Sequence, residues 1–430
     1  TQNLPGAILY RFKSDHRHHV MPFSFITDRI IEEKNKLIEE IERNGSYSFP
    51  PSEEFNKDDL FTAKKGMMFA ILTARDEMGR ETVIRAYSGE KDIKGYANPC
   101  YSRNEFKSVT EKWSAIIKNA PQSEVKFLTK EALTEIYSLY SFTDAWKNEF
   151  SLSDVFSSFA PSGSGDCAGI KCLNAAFRKG LRITGFGEFY YGKDTETRKS
   201  GAFYPPCRER CEKIIKRMTG LSFIYIDQDI AVINKQSGLL SVPGIGQEKL
   251  DSASERIKRV LYTDLKSPFV HRLDMDTSGI LVFALNKDAH RNLSRQFENR
   301  TIRKEYTALL EGKIEKKSGR ISLPHRLDTE RRPYQVVDYL NGKESITDYE
   351  VLSWESRNSI PVTRVRFLPH TGRTHQIRVH SAYGLGHPIL GERLYADEKK
   401  GERLFLHASK ITLIHPKSGK EITIISDPDF

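Results

Sequence analysis

Carboxylates and thiols are the side chains whose placement in this 430-residue sequence suggests chemistry. The run His271-Arg272-Leu273-Asp274-Met275-Asp276-Thr277-Ser278-Gly279 stands directly before an apolar stretch, Ile280–Leu285. A polar turn that delivers a carboxylate at the end of a buried strand suits catalysis, because the strand is rigid and the turn is open. Gly279 permits close chain packing beside it. On spacing alone the signal is weak, since an Arg-x-Asp pair beside a turn is usually a surface ion pair. The first four letters recur at His325-Arg326-Leu327-Asp328. There they lack the Thr-Ser-Gly continuation and the apolar run, and lead instead into Thr329-Glu330-Arg331-Arg332-Pro333, so they read as a chance repeat in a basic loop.

The thiols are less decisive. Cys207 and Cys211 lie one helical turn apart, and Cys167 follows a Gly/Ser loop, so three sulfurs can converge. Zinc asks for four ligands, and Cys172 is the available fourth. The Cys167-x4-Cys172 and Cys207-x3-Cys211 spacings together make no familiar zinc knuckle. Buried structural thiols are therefore expected, and no metal. An odd count of 5 Cys without a secretory leader suggests reduced thiols and an intracellular, cytoplasmic protein.

The elements that position these groups follow from pattern. With 38% hydrophobic and 29% charged residues the chain can bury a core, and its length asks for two or three domains. No apolar run approaches the length of a membrane span. A net charge of +10 favours a polyanionic partner, since Lys and Arg that neutralise phosphates release counterions. Residues Asp28–Arg43 alternate as an amphipathic helix that Gly45 ends, and strands are expected over Met67–Thr73 and Thr82–Tyr87. Helical patterns follow at Glu105–Lys118 and Lys130–Phe150. The loop Pro161–Asp166 is a sub-boundary near residue 160; Asp166 is placed to cap the helix after it, and another helix runs from Pro206 to about Met218. Beyond Gly220 the texture turns to short apolar strands, which divides the chain into residues 1–220 and 221–430.

In that second part, several blocks carry a resemblance. His271–Gly279 resembles the signature of the RluA family of pseudouridine synthases, in which the Asp is catalytic. Asn234-Lys235-Gln236-Ser237-Gly238-Leu239 is similar to the family's early turn, with Gln236 where Pro is frequent. Lys304-Glu305-Tyr306, Thr371–His380, Gly386–Gly391 and Leu406-His407-Ala408 match further blocks in order. The resemblance covers about Leu221–Phe430. It implies an α+β catalytic domain with a mixed, largely antiparallel sheet, beside a mixed, helix-containing N-terminal region. It implies RNA pseudouridine synthesis on structured RNA, either ribosomal or transfer RNA, with no cofactor, since the isomerisation is redox-neutral. By resemblance Asp274 is catalytic and can act as nucleophile, stabilise charge on the sugar or remove a C2′ proton, the last being favoured. Arg378 is its expected ionic partner and Tyr306 stacks on the uracil. Arg272 is expected to fill the gap left by the flipped nucleoside or, nearly as readily, to neutralise the RNA backbone, and Arg373, His375 and Ile377 complete the substrate site. The bland readings are a phosphate contact or plain ion pair for Arg378 and a core aromatic for Tyr306. The competing function is a non-catalytic RNA-binding or ribosome-assembly protein.

RNA contacts are expected on two basic surfaces. A helix between Asp288 and Arg303 buries Leu293 and Phe297 and leaves Arg291 and Arg295 on an outer face, with Arg300, Arg303 and Lys304 beyond it. A solvated face accounts for these charges equally well. The loop holding Arg326, Arg331 and Arg332 is the second. The N-terminal half is expected to assist RNA selection, with no obligate protein partner.

Overall fold

The computed structural model describes residues 8–12, 23–62, 66–157, 159–398 and 400–430, the first segment by its backbone alone. No helix among the described residues is long and apolar enough to cross a membrane.

Two sheets organise the molecule. The first is antiparallel, in the order Glu81–Tyr87, Met67–Arg75, Arg182–Tyr191, Phe203–Tyr204. Its central strand is apolar on both sides because both faces are covered. Ala70 and Leu72 pack with the helix Ala168–Arg178, while Phe69 and Ile71 pack with the helix Asp28–Asn44. Thr27 caps the latter helix, its Oγ1 accepting from the Ile30 N–H at 3.1 Å, and Gly45 closes it in the left-handed region. The strand Arg182–Tyr191 is not signalled by composition, because Gly185 and Gly187 interrupt it. A Cβ at either position would come within 2.8 Å of Ile30 or Ile26, so the glycines let the helix lie close on the sheet.

Two sequence expectations need correction in this region. The helix expected over Lys130–Phe150 runs from Gln122 to Ser138, and the chain then forms a small hairpin, Phe142–Thr143 with Glu149–Phe150. Asp144 turns that hairpin by accepting the N–H groups of Trp146 and Asn148, each at 2.9 Å. Asp166 does not cap the helix after it. Its carboxylate accepts from Tyr140 Oη at 3.2 Å, and Cys167 occupies the N-cap position without a side-chain bond.

The second sheet runs Ser318–Ser322, Ile346–Arg357, Ile360–Pro369, Arg303–Glu311, Leu406–Ile414, Ser278–Ala284, Ile230–Lys235, Phe223–Ile226. It is antiparallel throughout except where Ser278 and Gly279 pair in parallel with His407 and Ala408. From Lys410 onward, Leu406–Ile414 pairs instead with Glu421–Ser426, to which Ile8–Phe12 adds in parallel. The sheet therefore forks at Gly279, five residues after Asp274. Gly279 has φ +111°, and a Cβ there would lie 2.4 Å from the Ala408 carbonyl oxygen; only glycine lets the two strands meet. The molecule is α+β, and one core cluster runs across Gly220, from Ile214 and Met218 to Phe223 and Ile233.

Candidate active site

Asp274 sits half-buried on the turn that enters the Ser278–Ala284 strand, and the turn is held from several sides. Thr277 N–H donates to the Asp274 carbonyl at 3.1 Å. Ser241 Oγ donates to the Leu273 carbonyl at 2.7 Å and accepts the Leu273 N–H at 3.0 Å. Lys235 is fully buried and donates to the carbonyls of Gln236 (3.0 Å), Leu239 (2.7 Å) and Met275 (2.8 Å). Burial pulls its ammonium down to about 7, against the opposing charges of Asp274 and Asp276. The early turn at Gln236, where a proline would have stiffened the chain, is thus fixed by Lys235 and by Ser237 Oγ on the Asp276 carbonyl at 2.7 Å. His271 stacks on Phe297 with centroids 4.6 Å apart, and its Nε2 accepts the Val282 N–H at 3.0 Å. Burial, and then Lys304, lower its pKa to about 3, so it is a neutral strut.

The late arginine block arrives on the short helix Gln376–Val379, entered through His375 at φ +56°. A non-glycine residue in the left-handed region signals a conformation that its surroundings enforce. Tyr395 Oη receives the Gln335 N–H at 3.0 Å and shares a hydrogen bond with His375 Nδ1 at 2.6 Å, and burial keeps the imidazole below its ordinary pKa. Gln376 Oε1 accepts from Thr371 Oγ1 (2.7 Å) and Arg373 N–H (2.9 Å), while its Nε2 donates to the Ile346 carbonyl at 3.0 Å. Ile377 is buried in the core below.

Arg378 departs from expectation. Its ionic partner is Glu392, not Asp274. Nε donates to Glu392 Oε2 at 2.8 Å and Nη2 to Oε1, while the guanidinium lies over the Tyr395 ring 5.5 Å from its centroid. Glu392 is completely buried and also accepts the N–H groups of Arg393 and Leu394 at 2.9 Å each. Although burial would raise its pKa, the Arg378 pair holds it below the ordinary value. Asp274 reaches Arg378 only through space, as a weaker electrostatic contribution behind Glu392. The sequence reading missed Glu392; it stands one residue past the Gly386–Gly391 block, which was the available signal.

These parts meet in one cleft of about 600 Å³, where Asp274, Tyr306, Arg378, Arg272, Arg373, His375 and Ile377 all face the same space. Tyr306 comes from the Arg303–Glu311 strand at a break in its pairing with Leu406–Ile414. Burial, and then the charge of Asp274, hold its phenol well above the usual tyrosine range, so it is neutral. Arg272 is exposed at the mouth without an ion pair among the described residues. Arg300 and Lys304 share the wall. A second groove of about 430 Å³ adjoins the first along Arg272, Asp274 and His375, and Pro333 lines it.

The remaining basic candidates divide by pairing. The predicted helix spans Lys287–Glu298, with Arg291 and Arg295 on an exposed face that adjoins the cleft through Glu298. Arg303 lies on the following strand, bound to Glu421 at 2.9 Å. Arg326 pairs with Asp338 at 2.6 Å and Arg331 with Asp328 at 2.9 Å, both in a small hairpin, while Arg332 is exposed. Asp328 uses its other oxygen on the N–H groups of Glu330 (3.1 Å) and Arg331 (3.2 Å), closing its own turn. Of the four cysteines weighed for zinc, Cys167, Cys207 and Cys211 do converge, but Cys172 does not. Five residues along a helix turn a side chain about 140° away, and the Cys172 thiol faces the carbonyls of Ala70 (3.8 Å) and Ile84 (3.6 Å).

A forked sheet, a carboxylate on the turn that leads into the fork, a neutral tyrosine and a buried arginine clamp are thus gathered around one cleft lined by cations. Residues 229–383 match the RNA pseudouridylate synthase family. Over 213 residues the chain is 45% identical to the dual-specificity RNA pseudouridine synthase RluA of Haemophilus influenzae, covering 49% of this chain and 94% of that protein. The same figures hold for its namesake in Escherichia coli. The solved structure of human RNA pseudouridylate synthase domain containing 1 is 32% identical over 49% of this chain and 83% of its own, with a TM-score of 0.41. The chain belongs to the RluA family of RNA pseudouridine synthases and is an isomerase. The match leaves the N-terminal half as an extension beyond those relatives.

Proposed function

We propose that this enzyme isomerises specific uridines in structured RNA of the cytoplasm, both ribosomal RNA and a transfer-RNA stem-loop, with Asp274 as the group that acts at the sugar. The observation that supports this most is the convergence of Asp274, Tyr306 and Arg378, from three separated blocks, on one cleft edged by cations. The N1–C1′ bond breaks, the uracil turns, and a C5–C1′ bond forms; the C5 proton leaves and N1 gains one. Every heavy atom of the product comes from the substrate, and the proton lost from C5 is balanced by the one gained at N1, so no co-substrate enters. Ring and sugar must stay in place between the two bonds, which is what an enclosing cleft supplies. A carboxylate beside C1′ can add to the sugar, stabilise its positive charge or take the C2′ proton, and all three need Asp274 oriented by its pinned turn.

Tyr306, kept neutral, offers an aromatic face to the base and a hydroxyl that can exchange a proton with it. Arg378, fixed by Glu392, contributes positive potential near Asp274. Arg272 at the mouth can occupy the space that the flipped nucleoside vacates, and Arg373, His375 and Ile377 shape the wall. The relatives from Haemophilus influenzae and Escherichia coli are named dual-specificity enzymes, which fits two classes of substrate RNA. Mapping pseudouridines in RNA from cells with and without this chain tests the reading. Specific sites should disappear in both RNA classes; an unchanged map would overturn it.

A further inference from the structure

Three thiols meet in the half of the chain that the RluA relatives do not reach. The sulfurs of Cys167, Cys207 and Cys211 lie within 4.8 Å of one another, and those of Cys207 and Cys211 are 3.4 Å apart. Forty residues separate the first from the second, so the cluster is a product of tertiary structure. Cys211 is 2% exposed within the core, and Cys167 and Cys207 pack against that core from its edge.

Both delivering segments are shaped for the purpose. The loop before Cys167 passes through Gly165 at φ +93°, where a Cβ would lie 2.6 Å from the Tyr140 ring. Tyr140 in turn grips Asp166. On the other side, the N–H groups of Cys211 and Glu212 both donate to the Cys207 carbonyl at 3.1 Å, a wide first turn that swings the two sulfurs onto one side. Arg210 ties the segments together, donating Nη1 to the Ser162 carbonyl at 2.9 Å and also hydrogen-bonding the Cys207 sulfur.

We propose that Cys167, Cys207 and Cys211 bind a single thiophilic cation, Zn²⁺, as three corners of a tetrahedron. A zinc–sulfur bond of about 2.3 Å places tetrahedral sulfurs about 3.8 Å apart, close to the 3.4 Å between Cys207 and Cys211 and inside the 4.8 Å that contains all three. A four-iron cluster holds its thiolates on different irons, farther apart than this. Sulfur donors without carboxylate in the cluster select a soft or borderline ion over calcium or magnesium. On binding, three thiol protons leave for solvent and a thiolate set with one net negative charge remains, which the Arg210 guanidinium offsets. Among the described residues no fourth ligand joins the three, so the fourth position is left to solvent or another donor. The bound ion staples the Pro161–Cys167 loop to the helix Lys213–Thr219, which leads directly into the catalytic half.

The test uses the full chain, with zinc per chain measured by mass spectrometry and Co²⁺ substituted as a spectroscopic probe. One zinc per chain is expected, with sulfur-to-cobalt charge-transfer bands and tetrahedral visible bands. Cys167→Ala, Cys207→Ala and Cys211→Ala should lose both signals, whereas Cys172→Ala and Cys100→Ala should keep them. If the first three variants fail to fold, the wild-type cobalt spectrum and proton release on zinc titration of the stripped protein still decide. A wild type that takes up no zinc and shows no sulfur–cobalt bands overturns the proposal. So does iron with sulfide at the site, or a Cys207–Cys211 disulfide in the freshly isolated protein.

Discussion

Replacing Glu392 with Gln should separate the arginine clamp from mere scaffolding. The Glu392 side chain is fully buried and that of Arg378 is 4% exposed, so the substitution leaves a buried guanidinium without its counter-charge. Removing one partner of such a pair costs about 3–5 kcal/mol, and Gln retains an oxygen for the Arg393 and Leu394 N–H groups, so the lower end, about 3 kcal/mol, applies. With an unfolding entropy of about 2.1 cal/mol/K per residue, a chain of this length unfolding as one unit should melt about 3 °C lower. The larger effect falls on turnover. Arg378 loses the fork that fixes its angle toward Asp274, and a displacement near 1 Å is worth about 10²-fold in rate. The assay is release of tritium from RNA labelled at uridine C5, because that hydrogen leaves when C5 joins the sugar. kcat should fall by about two orders of magnitude while KM for RNA stays within about twofold, since Glu392 is fully buried and does not line the cleft. A variant that keeps its kcat, or one whose loss appears wholly in KM, refutes the idea that Glu392 positions Arg378 for the reaction.

Other expectations follow from the same geometry. Gly279→Ala should destabilise the enzyme by about 3 kcal/mol or more, because its Cβ would lie 2.4 Å from the Ala408 carbonyl oxygen at a positive φ; denaturant unfolding measures this, and a loss below 1 kcal/mol would show that the fork can open. Arg295→Gln and Arg332→Gln, at exposed positions with no ion pair among the described residues, should each lower the slope of log affinity for RNA against log salt by about 0.7–0.9, whereas Arg326→Gln and Arg331→Gln, already held by carboxylates, should change it less. Equal slopes across all four would remove the distinction. Burial lowers the pKa of His380 and of His407 to about 4. The unfolded chain therefore binds protons between pH 6.5 and 4 that the folded chain does not, and stability present above pH 6.5 is lost as pH falls toward 4, by about 3 kcal/mol at most per histidine. His407→Gln should flatten that part of the pH–stability curve; an unaltered curve would contradict the assignment.

The reaction class was legible only through the resemblance of ordered local blocks to the RluA family; the residues by themselves left Arg272 and Asp274 as an ordinary ion pair. A turn, a strand and an arginine block recur in sequence, and each keeps its composition wherever the chain carries it. The helix Asp28–Asn44 and the hairpin Met67–Tyr87 were legible directly, as periodic patterns with a cap or turn at the ends. What escaped depends on distance. Arg378 and Glu392 are joined across fourteen residues by a loop whose path no periodicity encodes. The strand Arg182–Tyr191 hides behind two glycines that serve the helix packed on it, and Asp166 looks like a cap until Tyr140 claims it. The thiols show both sides of the limit. The one-turn spacing of Cys207 and Cys211 was readable, but only the fold brings Cys167 to them and turns Cys172 away.

The most direct measurement is single-turnover pseudouridine formation by Asp274→Asn, with RNA affinity determined on the same preparation and Asp328→Asn alongside. Product should fall below detection for Asp274→Asn while affinity stays within a few-fold, and Asp328→Asn should turn over like the parent enzyme. Pseudouridine formed at the parental rate without the carboxylate at position 274 would contradict the mechanism at its root.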